Sequence, residues 1–408
     1  MTKPSEREAA EPAVAPGDDP RAFAAVLRAV HEAAMAGDPL PARPRSVIGE
    51  SWLRVRSAGV DPDVALPSVV DPTDLPQRRS DSGLSPVLSA LTSELEALTG
   101  TGDNIMVIAD ADGRVLWRSG SRPVLRRADA LGFVEGASWA EASVGTNAIG
   151  TALASGRAVQ VFSAEHFVRS HHAWTCTGAP IRDPRTGSAL GVVDVSGPAP
   201  TINSTTLALV GTVARLAEAQ LRERHRDELD RLRSVAAPIM ARAGVPALAV
   251  DPHGWVAAVD AVAPRERVRL PSSPAPGRSW LSDLGTCELD PLPGGGWLVR
   301  LSTGEPDETM IELSLHSSVP RVVISGGIGG WSHHPSPRHA QILDHLARHP
   351  EGCSAAELAQ LLFGDPARTI TVRAEISRLR KHFGGLISAN PYRFAAGVQV
   401  VVGAPAGC

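Results

Sequence analysis

A short stretch near the C-terminus combines apolar and cationic side chains at helical spacing. The apolar residues from Val372 to Phe383 fall on one face of a helix, and short polar and cationic residues fall on the other. Such a helix fits the major groove of DNA, which is about 12 Å wide, and contacts base edges and phosphates together. The candidate DNA contacts are Thr371, Arg373, Ser377, Arg378, Arg380, Lys381 and Arg393.

The flanking residues predict the elements that position this helix. Ser336-Pro337 is typical of a helix start, and Ser354 with Glu357 forms the pattern of a capping box. Two short strands follow the third helix and place Arg393 on a wing. A charged helix face alone usually only contacts water, but this order of elements favours DNA binding. Residues 371–380 and 388–393 resemble the C-terminal winged helix of actinobacterial regulators.

Three histidines and a cysteine near the middle of the chain suggest a metal or haem site. Neutral imidazole and thiolate are suitable ligands, and His166, His171, His172 and Cys176 could supply them. Adjacent histidines on a loop are usually exposed, however, so we expect no metal and no cofactor. Nor does the sequence show a nucleophile elbow, an H-E-x-x-H motif or paired carboxylates placed for catalysis, so we expect no catalytic residues and no enzyme.

The glycine-rich run from Gly145 to Leu153 does not have the spacing of a nucleotide-binding loop. Residues 44–222 instead resemble the GAF domain of acetoin-type activators, which are enhancer-binding regulators of bacterial catabolism. The resemblance lies in the glycine-rich run and in Gly136, Trp139-x-Glu141, Glu165-His166-Phe167, Trp174-x-Cys176-Thr177, Ala179-Pro180-Ile181 and Gly191-Val192-x-Asp194-Val195-Ser196-Gly197.

The resemblance implies a pocket for a small organic ligand, with indole walls and a few polar groups that fix its orientation. The implied pocket residues are Trp139, Glu141, Asn147, His166, Trp174 and Thr177. Purely structural roles remain open for each of them. The glycines can make a tight turn and a helix cap, the two tryptophans can belong to the core, and Glu141 and His166 can bind the backbone.

Many regulators with this sensor carry an ATPase that requires the loop G-x-x-x-x-G-K-[ST]. Only Lys3 and Lys381 are lysines, and neither follows such a loop. We therefore expect the chain to lack this ATPase domain, to bind double-stranded promoter DNA, and to contact or block RNA polymerase directly.

Composition limits the class of protein. The 408 residues are enough for two to four domains, and a net charge of −4 argues against a chain that coats nucleic acid along its length. The acidic, proline-rich start is no signal peptide, and no apolar run reaches the ~20 residues that span a bilayer. The four cysteines are widely scattered. We expect a cytoplasmic protein that does not enter the membrane.

These patterns predict a multidomain α+β chain with a GAF-type antiparallel sheet and flanking helices, a small PAS-like β-rich module, and a C-terminal winged helix. The predicted segments are a disordered tail (1–20), an N-terminal helical segment (21–83), the GAF-type sensor (84–222), a signalling helix (203–233), the β-rich module (234–330), the winged helix (331–396) and a second tail (397–408).

The function predicted from these segments is a transcription regulator whose GAF domain senses a small molecule and whose winged helix binds DNA. The second half of the signalling helix is almost wholly charged, which is typical of helices that pair with a copy of themselves, so we expect a homodimer. The alternative is a signalling scaffold that binds a small molecule and acts through protein partners without binding specific DNA.

Overall fold

The computed structural model describes residues 11–15, 17–64, 67–99, 102–271, 273–281, 284–301, 309–315, 320–325, 331–383, 386–395 and 398–402. Residues 1–10 of the predicted tail 1–20 and residues 403–408 of the predicted tail 397–408 lie outside the described residues. The chain divides into two compact units, residues 1–225 and 226–408.

The first unit begins with two helices, α1 (Pro20–Ala36) and α2 (Ser46–Ser57). The Asp19 side chain accepts a hydrogen bond from a first-turn amide of α1, and Gly37 ends the helix in the left-handed conformation. The prediction of a disordered tail over 1–20 is wrong for its described part. Ala13 and Val14 are buried, because they pack against Leu27 of α1 and its neighbours.

An antiparallel sheet forms the centre of the first unit, as predicted. Its strands are β1 (Ile105–Asp110), β2 (Val115–Gly120), β3 (Val159–Phe162), β4 (Trp174–Arg182) and β5 (Ala189–Pro198), in the order β2-β1-β5-β4-β3. The Asp110–Gly113 turn joins β1 to β2, where the Asp110 carboxylate accepts from backbone amides and Gly113 takes a positive φ.

Helices cover both faces of this sheet. Their bounds are α3 (Leu75–Asp81), α4 (Leu88–Thr99), α5 (Arg122–Asp129), α6 (Glu141–Val144) and α7 (Ala148–Ser155). Side chains alternate along a strand, so Val193 and Val195 of β5 pack with α4 on one face. Val192 of the same strand belongs to the opposite core, with α2 and α7. We call this second side the α7 face.

The long helix α8 (Ser204–Ala243) begins in the first unit and ends in the second. Val210 and Val213 pack in the core of the first unit, whereas Leu232 and Met240 belong to a core of the second. The predicted end at 233 is ten residues short, because the apolar period resumes after the charged stretch and Pro238 does not end the helix.

A second antiparallel sheet opens the second unit. It contains β6 (Ala247–Val250), β7 (Val256–Asp260), β8 (Gly277–Leu281), β9 (Gly285–Pro291) and β10 (Trp297–Leu301), in the order β7-β6-β10-β9-β8. This is the strand order of the first sheet. All five strands lie within residues 234–330, the segment for which the sequence predicts a β-rich module.

The winged helix has the predicted elements. They are α9 (Pro337–Arg348), α10 (Ala355–Phe363), α11 (Thr369–Phe383), β14 (Ile387–Ala389) and β15 (Tyr392–Phe394), preceded by β11 (Thr309–Ser314), β12 (Arg321–Ser325) and β13 (Trp331–His333). Ser354 accepts from the Glu357 amide, and the Glu357 carboxylate accepts from the Ser354 amide, which completes the capping box.

One strand contradicts the predicted tail over 397–408. β16 (Val398–Val402) runs parallel to β11 and completes the sheet β13-β12-β11-β16. Ile311, Val322 and Val400 of this sheet pack against the winged-helix core. The sequence predicts β11 and β12 as part of the β-rich module. In the structure they pack with the winged-helix core instead. In the described part of the chain, no helix is long and apolar enough to cross a membrane.

Candidate ligand pocket and DNA-contact helix

Three predicted pocket residues lie in or beside one core on the α7 face of the first sheet. Trp139 is 3% exposed and packs against Phe133, with ring centroids 4.0 Å apart. Trp174 belongs to the same core. His166 lies beside it, because its Nε2 atom is 3.3 Å from Sγ of Cys176, a member of that core.

Asn147 caps a helix. Its side-chain oxygen accepts a hydrogen bond from the Gly150 amide at 3.0 Å, which caps α7. Its side-chain nitrogen donates to the carbonyl oxygens of Trp139 and Gly145. These three bonds use its donors and its acceptor, so Asn147 is placed to shape the turn that carries Trp139.

The neighbouring glycines allow close packing at this turn. Gly145 has a φ of 75°, which favours glycine, and a Cβ atom there would lie 2.8 Å from Phe167. A Cβ atom on Gly150 would lie 2.6 Å from the backbone nitrogen of Glu141. The glycine-rich run therefore brings α7 against α6, which is the structural role left open by the sequence.

The Glu141 carboxylate accepts hydrogen bonds from side chains of α2 and α7. Its carboxylate accepts from the Ser51 hydroxyl at 2.5 Å, from Thr151 at 2.8 Å and from the Arg54 guanidinium at 2.7 Å. Burial raises the pKa of this carboxyl, but the hydrogen bonds and the charge of Arg54 outweigh it and hold the pKa below its usual value. Glu141 is thus an ionised anchor between helices.

Thr177 lies on the other face of the sheet from Trp139. Cys176 contacts the core on the α7 face, and Thr177, the next residue along β4, points to the opposite side and accepts from Gln160 Nε2 at 3.2 Å. It lines a polar cavity of about 10 Å³, enough for about one water molecule, near the first turn of α8. The structure therefore does not bring Thr177 together with the other predicted pocket residues.

The buried histidines are held neutral. Burial, reinforced by His171, lowers the pKa of His166 to about 3, and burial lowers the pKa of His171 to about 4. Burial and the nearby His31 lower the pKa of His172 to about 4. The described residues contain no group of three or more His, Cys, Asp or Glu arranged to hold a metal ion.

Cys176 is set in an environment that disfavours its thiolate. Burial raises the pKa of the thiol well above its usual value, and the nearby Asp194 raises it further. The His166 Nδ1–H donates to the Ser163 carbonyl, so His166 Nε2 is left to accept from the thiol. Cys176 is therefore a neutral hydrogen-bond donor in this core.

Two buried polar residues on the α7 face are missing from the predicted pocket. Asp194 of β5 and His171 are 1% and 2% exposed, and both carry side-chain atoms without a hydrogen-bond partner. The alternation of Val193, Asp194 and Val195 already indicates that the carboxyl faces away from the α8 side. His171 has no comparable pattern, because it ends a single 3-10 turn (Arg169–His171) instead of lying on a strand.

The helix α11 has the two faces that the sequence predicts. Val372, Ile376 and Leu379 are buried in the winged-helix core. Every predicted DNA contact on α11 and β15 is exposed: Thr371, Arg373, Ser377, Arg378, Arg380, Lys381 and Arg393. Cations and short polar side chains therefore lie on the exposed face of α11, opposite its buried apolar face.

A buried carboxylate on α11, Glu375, pairs with cations at the edge of this face. Glu375 is 7% exposed and accepts from Arg378 at 2.8 Å and from His339 at 3.0 Å, and Arg338 lies 3.6 Å away. The Arg378 side chain remains 62% exposed in this pair. The ion pair with Glu375 therefore holds the Arg378 side chain against its own helix, and most of that side chain stays exposed to solvent.

Sequence reasoning missed two further cations beside α11. The guanidinium groups of Arg338 and Arg368 lie over the Phe363 ring, 5.3 Å and 5.7 Å from its centroid. Arg368 directly precedes α11, a position that could have drawn attention to it. Both side chains are more than half exposed and extend the cationic surface.

Comparison with known proteins gives matches along nearly the whole chain. Residues 24–222 match the family described as the MimR N-terminal domain. A protein of Rhodococcus erythropolis, named an uncharacterised 47.3 kDa protein in the thcA 5′ region, is 33% identical over 403 residues and aligns with 96% of this chain and 74% of its own.

Two named activators match the first part of the chain. The acetoin dehydrogenase operon transcriptional activator AcoR of Bacillus subtilis is 35% identical over 193 residues, 46% of this chain and 31% of its own length. The propane 2-monooxygenase operon transcriptional activator MimR of Mycolicibacterium smegmatis is 38% identical over 154 residues, 37% of this chain and 25% of its own length. The chain thus spans a third or less of these activators.

A solved complex of E. coli DhaR(N) with DhaL also resembles the fold. It covers 63% of this chain and 100% of its own, with 19% identity and a TM-score of 0.44.

The named relatives are transcriptional activators, and the second unit of this chain contains a winged helix, which together support a regulatory role. The chain belongs to the family of the Rhodococcus protein, and its residues 24–222 match the MimR N-terminal domain. The 408 residues do not contain the ATPase loop motif.

Proposed function

We propose that the chain is a ligand-responsive regulator that binds double-stranded promoter DNA in the cytoplasm through α11 and the β15 wing. The observation that carries this proposal is the exposed cationic face of α11 opposite its buried apolar face. Arginine and lysine on such a face bind phosphates and base edges, and the buried face fixes the helix in place.

The first unit supplies the sensor in this proposal. A small organic molecule binds on the α7 face of the first sheet, where Trp139, His166 and Trp174 are buried. The helix α8 begins in this unit and ends in the other, so it can transmit a change between them. Ligand changes DNA affinity only if it binds two arrangements of the chain unequally. Pairing of α8 with a second copy makes the regulator a homodimer, and bound at a promoter it contacts RNA polymerase.

Fluorescence anisotropy with the DNA fragment upstream of the protein's own gene tests the proposal. Specific binding should weaken steeply as salt rises, because bound arginines release counterions from phosphates. The variants Arg373→Glu and Lys381→Glu should each weaken binding at least about tenfold, since each replaces attraction to DNA by repulsion. Arg126→Glu, on an exposed residue of α5, makes the same charge change in the other unit and should leave affinity unchanged.

A contrary result has a defined meaning. If footprinting protects no site, or if the two α11 variants bind as the parent does, DNA recognition by this helix is excluded. The winged helix would then serve as a surface for protein partners, and the protein would be a ligand-binding scaffold.

A further inference from the structure

The helix α11 carries one large apolar side chain on its exposed face. Ile370, the second residue of the helix, is 80% exposed, whereas the other large apolar residues of α11, all of which the structure describes, are buried. Those residues are Val372, Ile376, Leu379 and Phe383. Single exposed apolar side chains are common on protein surfaces, so the exposure of Ile370 alone carries no argument. Its position on the helix does.

Ile370 lies at the centre of the exposed face. Successive residues of a helix are about 100° apart, so Ile370, Ala374 and Lys381 fall within about 40° of each other. The buried residues Val372 and Leu379 lie nearly opposite. Packing of the winged-helix core therefore does not explain an isoleucine at position 370, because that core uses the other side of the helix.

The neighbours of Ile370 on this face are small or cationic. Ala374 and Ser377 are exposed and short, and Arg373 and Lys381 lie beside them. Short side chains leave room for a helix to lie deep in a groove, while the cations bind phosphates at its edges. The α11 sequence has a single acidic residue, Glu375, and burial keeps its carboxylate away from a bound phosphate.

This composition favours DNA over a protein partner. The centre of a protein–protein interface is apolar and depleted in charged residues. On α11, by contrast, one large apolar side chain has cations around it, and Arg368, directly before the helix, adds a guanidinium that is 60% exposed. A polyanion that presents an apolar group inside a groove matches both features.

The major groove of DNA presents such a group, the C5 methyl of thymine. The N-terminal residues of a recognition helix are those that contact base edges, and Ile370 lies in the first turn of α11. Its side chain has no polar atom, so it cannot form a hydrogen bond with a base. It can, however, remove a methyl group from water, which favours thymine over cytosine because cytosine has only a hydrogen at C5.

We propose that Ile370 is a specificity-determining residue that contacts the methyl group of a thymine in the major groove. This rests on the proposed binding of promoter DNA by α11, and it names the base that the helix selects at one position. Contact removes both the methyl group and the Ile370 side chain from water. Loss of one methyl group from such a contact weakens binding about fourfold.

Deoxyuridine tests this contact, because it differs from thymidine only in lacking the methyl group and forms the same base pair. Binding sites are first selected from a random-sequence duplex library with the full chain. A selected duplex is then synthesised in two forms, with thymine or with uracil throughout, and fluorescence anisotropy gives the Kd of each. We expect the parent protein to bind the thymine form at least about fourfold more tightly than the uracil form.

Matched variants locate the contact. Ile370→Ala should bind the two forms equally and should bind the thymine form at least about fourfold more weakly than the parent does. Leu361→Ala truncates an apolar residue of α10 that is 48% exposed, in the same winged helix, and should keep the preference of the parent. Because Ile370 is exposed, its truncation leaves the buried core intact.

The outcomes separate this inference from the proposed function. If the library yields no bound site, DNA binding fails and this contact fails with it. If sites are bound but the parent does not distinguish the two forms, or Ile370→Ala keeps the preference, DNA binding stands and the thymine contact is wrong. Ile370 would then belong to a surface for a protein partner. Loss of the preference in Leu361→Ala as well would also overturn the inference, because the effect would not be specific to Ile370.

Discussion

The histidines near the sheet of the first unit are buried without charge, and this has a consequence for stability. His171 has a pKa of about 4 in the folded chain against 6.5 for the free side chain, because burial disfavours its charged form. Between these values the unfolded chain binds a proton that the folded chain does not. Stability therefore falls as pH drops from 6.5 toward 4.

The variant His171→Asn should remove this dependence. In the pH window between the two pKa values, the free energy of unfolding of the first unit should depend less steeply on pH in the variant than in the parent. We expect the two slopes to differ by about 1.4 kcal/mol per pH unit. Urea titrations at several pH values measure this. Above about pH 7.5 the two curves should run parallel, because both states are then neutral at this residue. Equal slopes at lower pH would contradict the buried, neutral state of His171.

The pKa shift of Asp194 makes stability depend on pH in the opposite direction. Burial raises its pKa to about 7, although the bond from Ser196 opposes the shift. The folded chain therefore holds a proton on Asp194 between the ordinary value of 3.8 and about 7, and this residue costs stability as pH rises through that range. A single-residue variant is thus a better probe than the overall pH profile, because these contributions partly cancel.

At the scale of elements, α8 has an exposed seam with coiled-coil spacing. Leu209 and Leu216 are 37% and 39% exposed and lie one heptad apart. Thr205, Thr212 and Ala219 continue the same alternation of three and four residues. A seam with this period packs against a second helix of the same kind, which supports the proposed homodimer.

Replacing both leucines of the seam, Leu209→Asp with Leu216→Asp, should convert the proposed homodimer to a monomer. Burying two carboxylates between helices costs more than such an interface gains. Sedimentation equilibrium gives the mass directly. Leu53→Asp, at an apolar residue of α2 that is 68% exposed, is the matched control and should stay dimeric. A dimer that persists in the double variant would show that another surface joins the copies.

The element α11 shows how one helix can serve two purposes. Its buried face contributes Ile376 and Leu379 to the core, so the side chains proposed to contact DNA project from a helix that is packed against that core. Glu375 at the edge of that face accepts hydrogen bonds from Arg378 of its own helix and from His339 of α9. The ion pair with Glu375 therefore partly neutralises the charge of Arg378, whereas Arg373 and Lys381 lie on the exposed face.

At the scale of the whole molecule, the chain is two compact units that share one helix. Each unit has its own buried core, with Ile105 and Val192 in the first and Leu343 and Leu379 in the second. Units with separate cores can unfold in separate steps, each with its own midpoint.

Calorimetry should therefore show two transitions that respond to different variants. Glu141→Ala leaves Ser51, Thr151 and Arg54 without their shared acceptor and should destabilise the first unit by about 2–4 kcal/mol. Ser354→Ala removes the cap of α10 and should destabilise the second by about 1 kcal/mol. We expect each variant to move one transition only. A common shift of both would mean that the chain unfolds as one cooperative body.

The sequence by itself determined those features that depend on neighbours along the chain. The two faces of α11, the Ser354–Glu357 capping box and the alternation in β5 follow from spacing, because helix and strand periods fix which residues share a face. Alternation in β4 would also have placed Thr177 away from Trp174 and Cys176.

Only the tertiary structure decided which distant residues meet. The strand β16 pairs with β11 across more than eighty residues, and although its four valines fit a strand, no local pattern identifies β11 as its partner. Glu141 meets Arg54 and Ser51 of α2, and Asp194, His171 and Trp139 are buried in the first unit. Such contacts arise when separate elements bury their apolar faces against each other, and that arrangement then fixes which polar groups are satisfied and which are left for a partner.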